Sequence, residues 1–359
     1  MIHFHPLKIK EIRQETDECV SILFEVPEEL KEKFEFSQGQ SLTMRADIGG
    51  EEIRRTYSIC SSPLDKQWRV AVKKVDGGIF SSYANEKLKE GDIIEVMPPV
   101  GKFYTKLDPI NQKNYLTIAA GSGITPVLSI IKTTLITEPK STFTLLFGNR
   151  SRTSIIFKEE LDALKNRFMN RFNLLHILSR EVTDAPIFHG RINKEKCDLL
   201  FERLVDVSSM DEIFICGPEE MIFTVKDLLE EKGIDKKHIH FELFTTPGEK
   251  SATHSQQTNQ HTDTGRKSKI AVKLDGIMFD FELSQSGDTI LDAALKQGAD
   301  LPFACKGGVC CTCKARLIKG EVEMDVNYGL EEDEVAAGFI LTCQSHPKTS
   351  EVIIDFDQR

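Results

Sequence analysis

Four cysteines, Cys305, Cys310, Cys313 and Cys343, stand in FACKGGVCCTC and, further on, LTCQ. Their spacing, C-x₄-C-x₂-C and then a distant fourth cysteine, is that of the ligands of a [2Fe–2S] cluster. Such a cluster passes one electron at a time. A structural zinc site more usually shows two C-x₂-C pairs. Three thiolates so close in sequence converge only on a compact loop. Gly307 and Gly308 are expected to supply it by taking φ > 0, bringing backbone N–H groups up to the sulfurs. Cys311 puts a fifth thiol beside the loop; the spacing makes Cys310 the ligand and Cys311 a bystander.

Four further motifs precede the cysteines. Arg54-Arg55-Thr56-Tyr57-Ser58 offers a guanidinium for a diphosphate, a phenol ring for a flavin face and a hydroxyl for a ring nitrogen, although strands often carry these residues for other reasons. In VKKVDGGIFSSY, Gly77 and Gly78 lead into Ser81 and Ser82, as in a phosphate nest at a helix start; a plain hairpin turn reads much the same. Gly121-Ser122-Gly123-Ile124-Thr125-Pro126 follows an apolar strand and opens a helix, where glycines let a dinucleotide diphosphate approach the backbone. Proline replaces the third glycine of the usual G-x-G-x-x-G. Cys216-Gly217-Pro218 again lies between strand and helix. There a small, polarizable side chain suits contact with a nicotinamide ring, and a buried cysteine is otherwise a small apolar residue.

The elements that must position these residues change character along the 359-residue chain, which is long enough for several cores. Residues 1–108 carry short alternating runs (SILFEV, RVAVKKV, DIIEVM) broken by turn residues, predicting an antiparallel β-barrel. Residues 109–244 alternate apolar strands with helical patterns, predicting an α/β domain on a parallel sheet. Its first helix is expected to bury Val127, Ile130, Ile131, Thr134 and Leu135 on one face behind a cap-like Thr125 and Pro126. Residues 245–268 lack large apolar side chains and read as a flexible linker, with His254 and His261 solvated in it. Residues 269–359 give a hairpin turning at Asp275-Gly276, a helix in TILDAALKQG and further strands, an α+β fold with a mixed sheet clasping one helix.

Composition narrows the function. The net charge of −10, from 46 basic and 56 acidic residues, argues against nucleic-acid binding. No apolar run reaches the roughly 18 residues of a membrane span, and MIHFHPLKIK does not resemble a signal peptide. Nine cysteines, an odd number, fit a reducing compartment, so a cytoplasmic location is expected.

R-x-Y-S, GG-x-x-S, G-x-G-I-T-P and C-G-P in this order resemble the ferredoxin–NADP reductase superfamily, and the C-terminal part is similar to plant-type ferredoxins of β-grasp fold. Joined so, the chain resembles the reductase components of multicomponent oxygenases, with GNRSRTSIIFKEEL among the similar segments. The resemblance implies FAD held by Arg55, Tyr57 and Ser58, with Gly77, Gly78 and Ser81 at its diphosphate. It implies a dinucleotide at Gly121, Gly123 and Thr125, Cys216 near the hydride-donating carbon, and a carboxylate, Glu242, near the flavin. Ser58, Cys216 and Glu242 are the expected catalytic residues. Ser179, Arg180 and Glu181, with the later Arg191, match positions that favour NADPH over NADH. The implied path runs from NADPH through FAD to [2Fe–2S] and out to an oxygenase component, a di-iron enzyme acting on an aromatic acyl-CoA thioester. A hydride carries two electrons and the cluster takes one, so a flavin between them satisfies the electron count. Glu331, Glu332, Asp333 and Glu334 can steer a basic partner surface, and a solvated helix face explains them as well. Two other uses of the same pieces are a reductase for a ring-hydroxylating or steroid oxygenase, and a redox sensor or adaptor.

Overall fold

The computed structural model describes residues 3–183, 185–244 and 266–358. The chain divides into two compact units, Phe4–Phe244 and a second holding Met1–His3 with Thr245–Arg359. In the first, β1 (His5–Thr16), β2 (Cys19–Glu25), β3 (Ser41–Ile48), β4 (Glu51–Ser58), β5 (Trp68–Lys73) and β6 (Ile93–Val96) form an antiparallel sheet in the order β4-β3-β6-β1-β2-β5. Strand alternation drives it: along β1, Leu7 and Ile9 turn inward while Lys8 and Lys10 face water. The sheet's two ends meet through the Ile59–Val70 bridge and a 2.8 Å bond from Cys60 N to Arg69 O, which closes the barrel. Phe24, Phe34, Leu42, Val70 and Phe80 fill it. Phe80 comes from α1 (Ile79–Glu86), which follows the two glycines.

The same unit continues into β7 (Asn114–Ala120), β8 (Thr142–Asn149), β9 (Phe172–Leu178), β10 (Glu212–Gly217) and β11 (Ile239–Leu243). All pair in parallel in the order β11-β10-β7-β8-β9. Helices α2 (Ile124–Thr137), α3 (Lys158–Arg167), α4 (Lys194–Arg203) and α5 (Glu219–Glu231) connect them. The strand order reverses beside β7, and a crevice at the carboxyl ends of strands is where such sheets take ligands. Two details differ from expectation. Helix α2 is buried nearly all round rather than on one face, because its far side meets the barrel: Ser129 Oγ donates to Ser61 O (2.7 Å), and Thr133 Oγ1 lies 2.8 Å from Ser62 Oγ. Thr125 and Pro126 do not cap it. Gly123 is the capping residue, without a side-chain bond, and Thr125 Oγ1 donates to Ser122 O at 3.0 Å.

The second unit is built of β12 (Lys267–Leu274), β13 (Ile277–Ser284), α6 (Ile290–Lys296), β14 (Lys314–Lys319), β15 (Val322–Met324), α7 (Glu332–Ala336), β16 (Phe339–Leu341), β17 (Ser345–Pro347) and β18 (Glu351–Asp355). Its main sheet runs β13-β12-β18-β14-β16, with β12 and β18 parallel and the other pairs antiparallel; β15 and β17 pair separately. Ile290, Leu291 and Ala294 of α6 pack into the core against Val272, Ala315 and Ile354. Asp275 and Gly276 both take positive φ (53° and 77°), as a two-residue hairpin turn matched to strand twist requires. Lys267 and Ser268, expected at the end of a linker, are already paired in β12. His254 and His261 lie outside the described residues. Among the described residues no helix is long and apolar enough to cross a membrane.

Candidate functional site

The four cysteines of the second unit come together as two pairs. Cys305 interacts with Cys310, and Cys313 with Cys343. In each pair, one thiol's hydrogen bond holds the other below the usual range: Cys310 does this for Cys305, and Cys313 for Cys343. The same bonds, reinforced by burial, push Cys310 and Cys313 up. Gly307 N and Cys310 N donate to Cys305 Sγ at 3.3 and 3.4 Å, and Thr312 Oγ1 lies 3.2 Å from Cys310 Sγ. Gln344 Nε2 is 3.6 Å from Cys343 Sγ. Among the described residues no three His, Cys, Asp or Glu side chains converge on a single metal ion. Two thiol pairs ringed by N–H and O–H donors suit a two-iron group instead, since each iron needs two protein sulfurs. The residues present therefore fit a [2Fe–2S] cluster.

The loop's backbone departs from expectation at one point. Gly308 takes φ +75°, but Gly307 does not; the other left-handed residues are Lys306 (52°) and Cys311 (53°). Cys311 is not idle. Its Sγ donates to Gly329 O at 2.7 Å, and a Cβ on Gly329 would lie 2.7 Å from that sulfur. It ties the loop to the segment before α7.

In the first unit, Arg55 and Tyr57 share one face of β4 and Ser58 takes the other. Arg55 Nη1 donates to Arg54 O at 2.7 Å. The Tyr57 ring lies 5.7 Å from Phe80 of α1, so the R-x-Y-S and GG-x-x-S motifs meet. Burial pushes the Tyr57 phenol up, keeping it neutral. Gly77 has φ +71° and open space where a side chain would be, and Gly78 caps α1 without a side-chain acceptor. The first-turn N–H groups there suit an anion. Ser81 is placed differently from expectation: its Oγ accepts from Val75 N (3.1 Å) and donates to Gly78 O (3.3 Å), so it holds the loop's shape.

Ser58 Oγ donates to Glu242 Oε2 at 2.9 Å, joining the barrel to the last parallel strand. Cys216 and Glu242 are register partners on β10 and β11. Burial lifts the Glu242 carboxyl to about 7, with the Ser58 hydroxyl pulling the other way. Burial also pushes the Cys216 thiol well up, and Glu242 adds to it, so the fully buried sulfur is a neutral, small apolar group. Ser58, Cys216 and Glu242, expected together, are brought together.

At the neighbouring strand end Gly121 takes φ +54°. Gly123 is needed for a different reason: a Cβ there would stand 2.1 Å from Cys216 O. Its backbone thus packs on the strand carrying Cys216. Thr125 is buried and its hydroxyl is committed to Ser122 O. At the end of β9, Ser179 N donates to Asn149 O (2.9 Å) and Gly190 N to Leu178 O (2.9 Å), which brings His189-Gly190-Arg191 alongside Ser179 and Arg180. The Glu181 carboxylate turns away to Arg152, accepting from its backbone N (2.8 Å) and pairing with its Nε (3.1 Å). Sequence reasoning missed Lys73, whose Nζ reaches the Gly121 loop, and Asn149, whose buried Nδ2 has no hydrogen-bond partner. The lysine in VKKV was a visible signal; an orphaned amide is not visible in sequence.

The acidic run opens α7. Glu331 and Glu334 cap that helix between them, and Glu334 pairs with Lys314 at 3.2 Å. Within the run, only Glu332 and Asp333 are exposed without such a commitment to a cation or to the reciprocal cap.

Three domain families match in succession: the oxidoreductase FAD-binding domain over residues 6–104, the oxidoreductase NAD-binding domain over 117–227, and the 2Fe-2S iron-sulfur cluster binding domain over 272–348. Barrel, parallel sheet and cysteine loop define an electron-transferring oxidoreductase that uses a nicotinamide coenzyme, FAD and a [2Fe–2S] cluster. Over its whole length the chain is 46% identical to a component of the 1,2-phenylacetyl-CoA epoxidase of Escherichia coli (strain K12), covering 99% of that protein. It is 33% identical, over 98% of its length and 96% of the relative's, to the ferredoxin reductase component of 3-ketosteroid-9-alpha-monooxygenase of Rhodococcus rhodochrous. The chain belongs to this family of oxygenase reductase components. Phthalate dioxygenase reductase, a modular structure for electron transfer from pyridine nucleotides to [2Fe–2S], shares its fold (23% identity, 98% of each chain, TM-score 0.58).

Proposed function

We propose that this chain draws electrons from NADPH and delivers them to the di-iron component of an oxygenase acting on phenylacetyl-CoA, in the cytoplasm. Bound FAD supplies the conversion of a hydride's electron pair into single electrons, and a bound [2Fe–2S] cluster supplies the one-electron outlet. The protein's part is placement. Arg55, with the N–H groups after Gly77 and Gly78, offers positive charge to a flavin diphosphate, while Tyr57 offers a neutral ring face. Ser81 keeps those N–H groups in position. The Gly121–Gly123 loop takes the dinucleotide at the strand end that carries Cys216, where a neutral sulfur leaves room for a flat ring without adding charge. Ser58 and Glu242 hold a proton beside it, because Glu242 titrates at about 7. Cys305, Cys310, Cys313 and Cys343 hold the cluster.

The observation that carries this function is the Ser58–Glu242 bond, which brings the flavin motif of the barrel against the strand pair bearing Cys216. For the coenzyme, exposed Arg180 and Arg191 beside Ser179 support NADPH, since Glu181 is engaged elsewhere. For the acceptor, full-length similarity to the epoxidase component is the support. Anaerobic addition of NADPH should bleach flavin absorbance and produce a rhombic iron–sulfur resonance. Turnover of phenylacetyl-CoA by the purified di-iron component should then depend on this protein. A strong preference for NADH, or electron delivery to a steroid or ring-hydroxylating oxygenase and not to the epoxidase, would defeat the finer assignment.

A further inference from the structure

The tip of the β1–β2 hairpin carries a carboxylate that belongs to neither the flavin nor the coenzyme motif. Glu18 is held by its backbone: its N donates to Thr16 Oγ1 (3.3 Å), and Lys74 N donates to its carbonyl (2.7 Å). Only its half-exposed side chain is left to move. That side chain spans two cations from opposite halves of the unit. Lys73 Nζ, from the end of barrel strand β5, lies 3.8 Å from Glu18 Oε2, and Arg150 Nη1, just past sheet strand β8, lies 3.7 Å from the same oxygen. Both distances are long for an ion pair, and both cations retain solvent access.

The surroundings mark this spot as one for a more highly charged anion. Lys73 Nζ stands 4.0 Å from where a side chain on Gly121 would begin, so it faces the loop that opens α2. Beside Arg150 is Asn149, more than nine-tenths buried, whose Nδ2 has no hydrogen-bond partner. A buried amide left without an acceptor is costly unless a ligand supplies one. Asn149 shares the face of β8 with Phe147, the face that α2 and its opening loop cover. Two cations therefore hold one loosely bound carboxylate, one of them facing the glycine loop and the other following a residue with an orphaned donor.

We infer that Glu18 is an internal stand-in for the coenzyme's diphosphate: it occupies Lys73 and Arg150 until the dinucleotide takes them over, and so sets how tightly NAD(P)H is held. This rests on the coenzyme-binding role of the Gly121 loop. A diphosphate outcompetes a single carboxylate at this distance, while Glu18, tethered by its backbone, remains a nearby negative charge that weakens the bound state.

The test is Glu18→Gln in the full-length holoprotein, with oxidised coenzyme and inorganic pyrophosphate as probes. Equilibrium titration should give a Kd for each that falls about two- to fivefold, the range expected of a surface charge pair. The steady-state effect should appear in KM rather than in kcat, and Glu18→Asp should restore most of the original Kd. Arg150→Ala should move both constants the opposite way, and Glu18→Gln should then have a smaller effect in the Arg150→Ala background. Unchanged or weaker binding in Glu18→Gln would overturn the inference while leaving the coenzyme site standing. Absence of saturable coenzyme binding in the unaltered protein would overturn both.

Discussion

The strand end carrying Cys216 and the cysteine loop of the second unit both bring backbone close to a cysteine sulfur, but they achieve it by different means. At the sheet edge, Cys216 sits at the end of β10 with its carbonyl against Gly123, and the surrounding strands and α2 are fully packed. The site's shape is a by-product of the core. In the cysteine loop, Lys306, Gly308 and Cys311 adopt left-handed backbone, and the sulfurs face one another in pairs. Left-handed backbone is unfavourable for residues other than glycine; protein contacts such as Lys306 Nζ to Asp292 (2.7 Å) and Cys311 Sγ to Gly329 O offset part of it, and a group bound by the thiols would add to them.

That contrast predicts the largest effect. Removing iron with acid and chelator should unfold the second unit's cysteine loop and lower that unit's melting transition, because metal binding to such sites is coupled to folding. The first unit's transition should stay where it was. Cys305→Ala should do the same and reduce coenzyme-driven cytochrome c reduction to background, while ferricyanide reduction persists. Loss of both activities together would show that the two regions are not independent in the way argued.

The counterpart at the sheet edge is Gly123→Ala. Its added Cβ would lie 2.1 Å from Cys216 O, with Gly217 N at 2.9 Å, and backbone on both sides cannot yield cheaply. A cost of about 3 kcal/mol is expected from overpacking, read from the denaturant midpoint of the first unit, along with weakened coenzyme binding. An unchanged midpoint would mean that the helix start moves freely and that the edge is not set by packing.

A smaller effect tests the loop's protein scaffold apart from its metal. Cys311→Ala removes the sulfur that donates to Gly329 O, worth about 1 kcal/mol as a hydrogen bond. It should shorten the cluster's lifetime in air without preventing assembly. Cys311→Ser should keep most of that lifetime, since the hydroxyl can make the same bond. Complete loss of the cluster in Cys311→Ala, with Cys310→Ala tolerated, would reverse the ligand assignment.

What could be read in sequence follows the same division. The C-x₄-C-x₂-C spacing, the Asp275-Gly276 turn and the helix beginning at Thr289 are local signals, and local chemistry decided them. The register that sets Cys216 beside Glu242, and the bond from Ser58 to Glu242 across the unit, depend on strand pairing that no local pattern carries. Thr125 and Ser81 looked like ligand-binding hydroxyls because Ser and Thr favour phosphate sites. In place, each satisfies a backbone group of its own loop. Among the further strands, CKARLIKGEVEM and SEVIIDFD are legible in sequence, whereas short strands β16 and β17 are not, because three residues show no period and only their pairing to β14 and β15 makes them strands.

The effect that separates the two regions by pH concerns Glu242. Its carboxyl is raised from an ordinary 4.5 to about 7 by burial, so between those values the folded state keeps a proton that the unfolded chain releases. Stability of the first unit should therefore be fully present below about pH 4.5 and fall as pH rises through about 7. Glu15, also raised by burial, acts in the same direction. Glu212 acts oppositely: His240 and Lys113 hold it down to about 2 against its own burial, so its contribution is lost only at much lower pH. Glu242→Gln should flatten the decline between pH 5 and 8, in denaturant midpoints and in the pH profile of coenzyme-driven ferricyanide reduction. Ser58→Ala, which removes the hydroxyl that favours the charged form, should shift the profile to higher pH. Wild type and Glu242→Gln declining in parallel would show that this acid does not titrate near neutrality, and would remove it as the proposed holder of a proton.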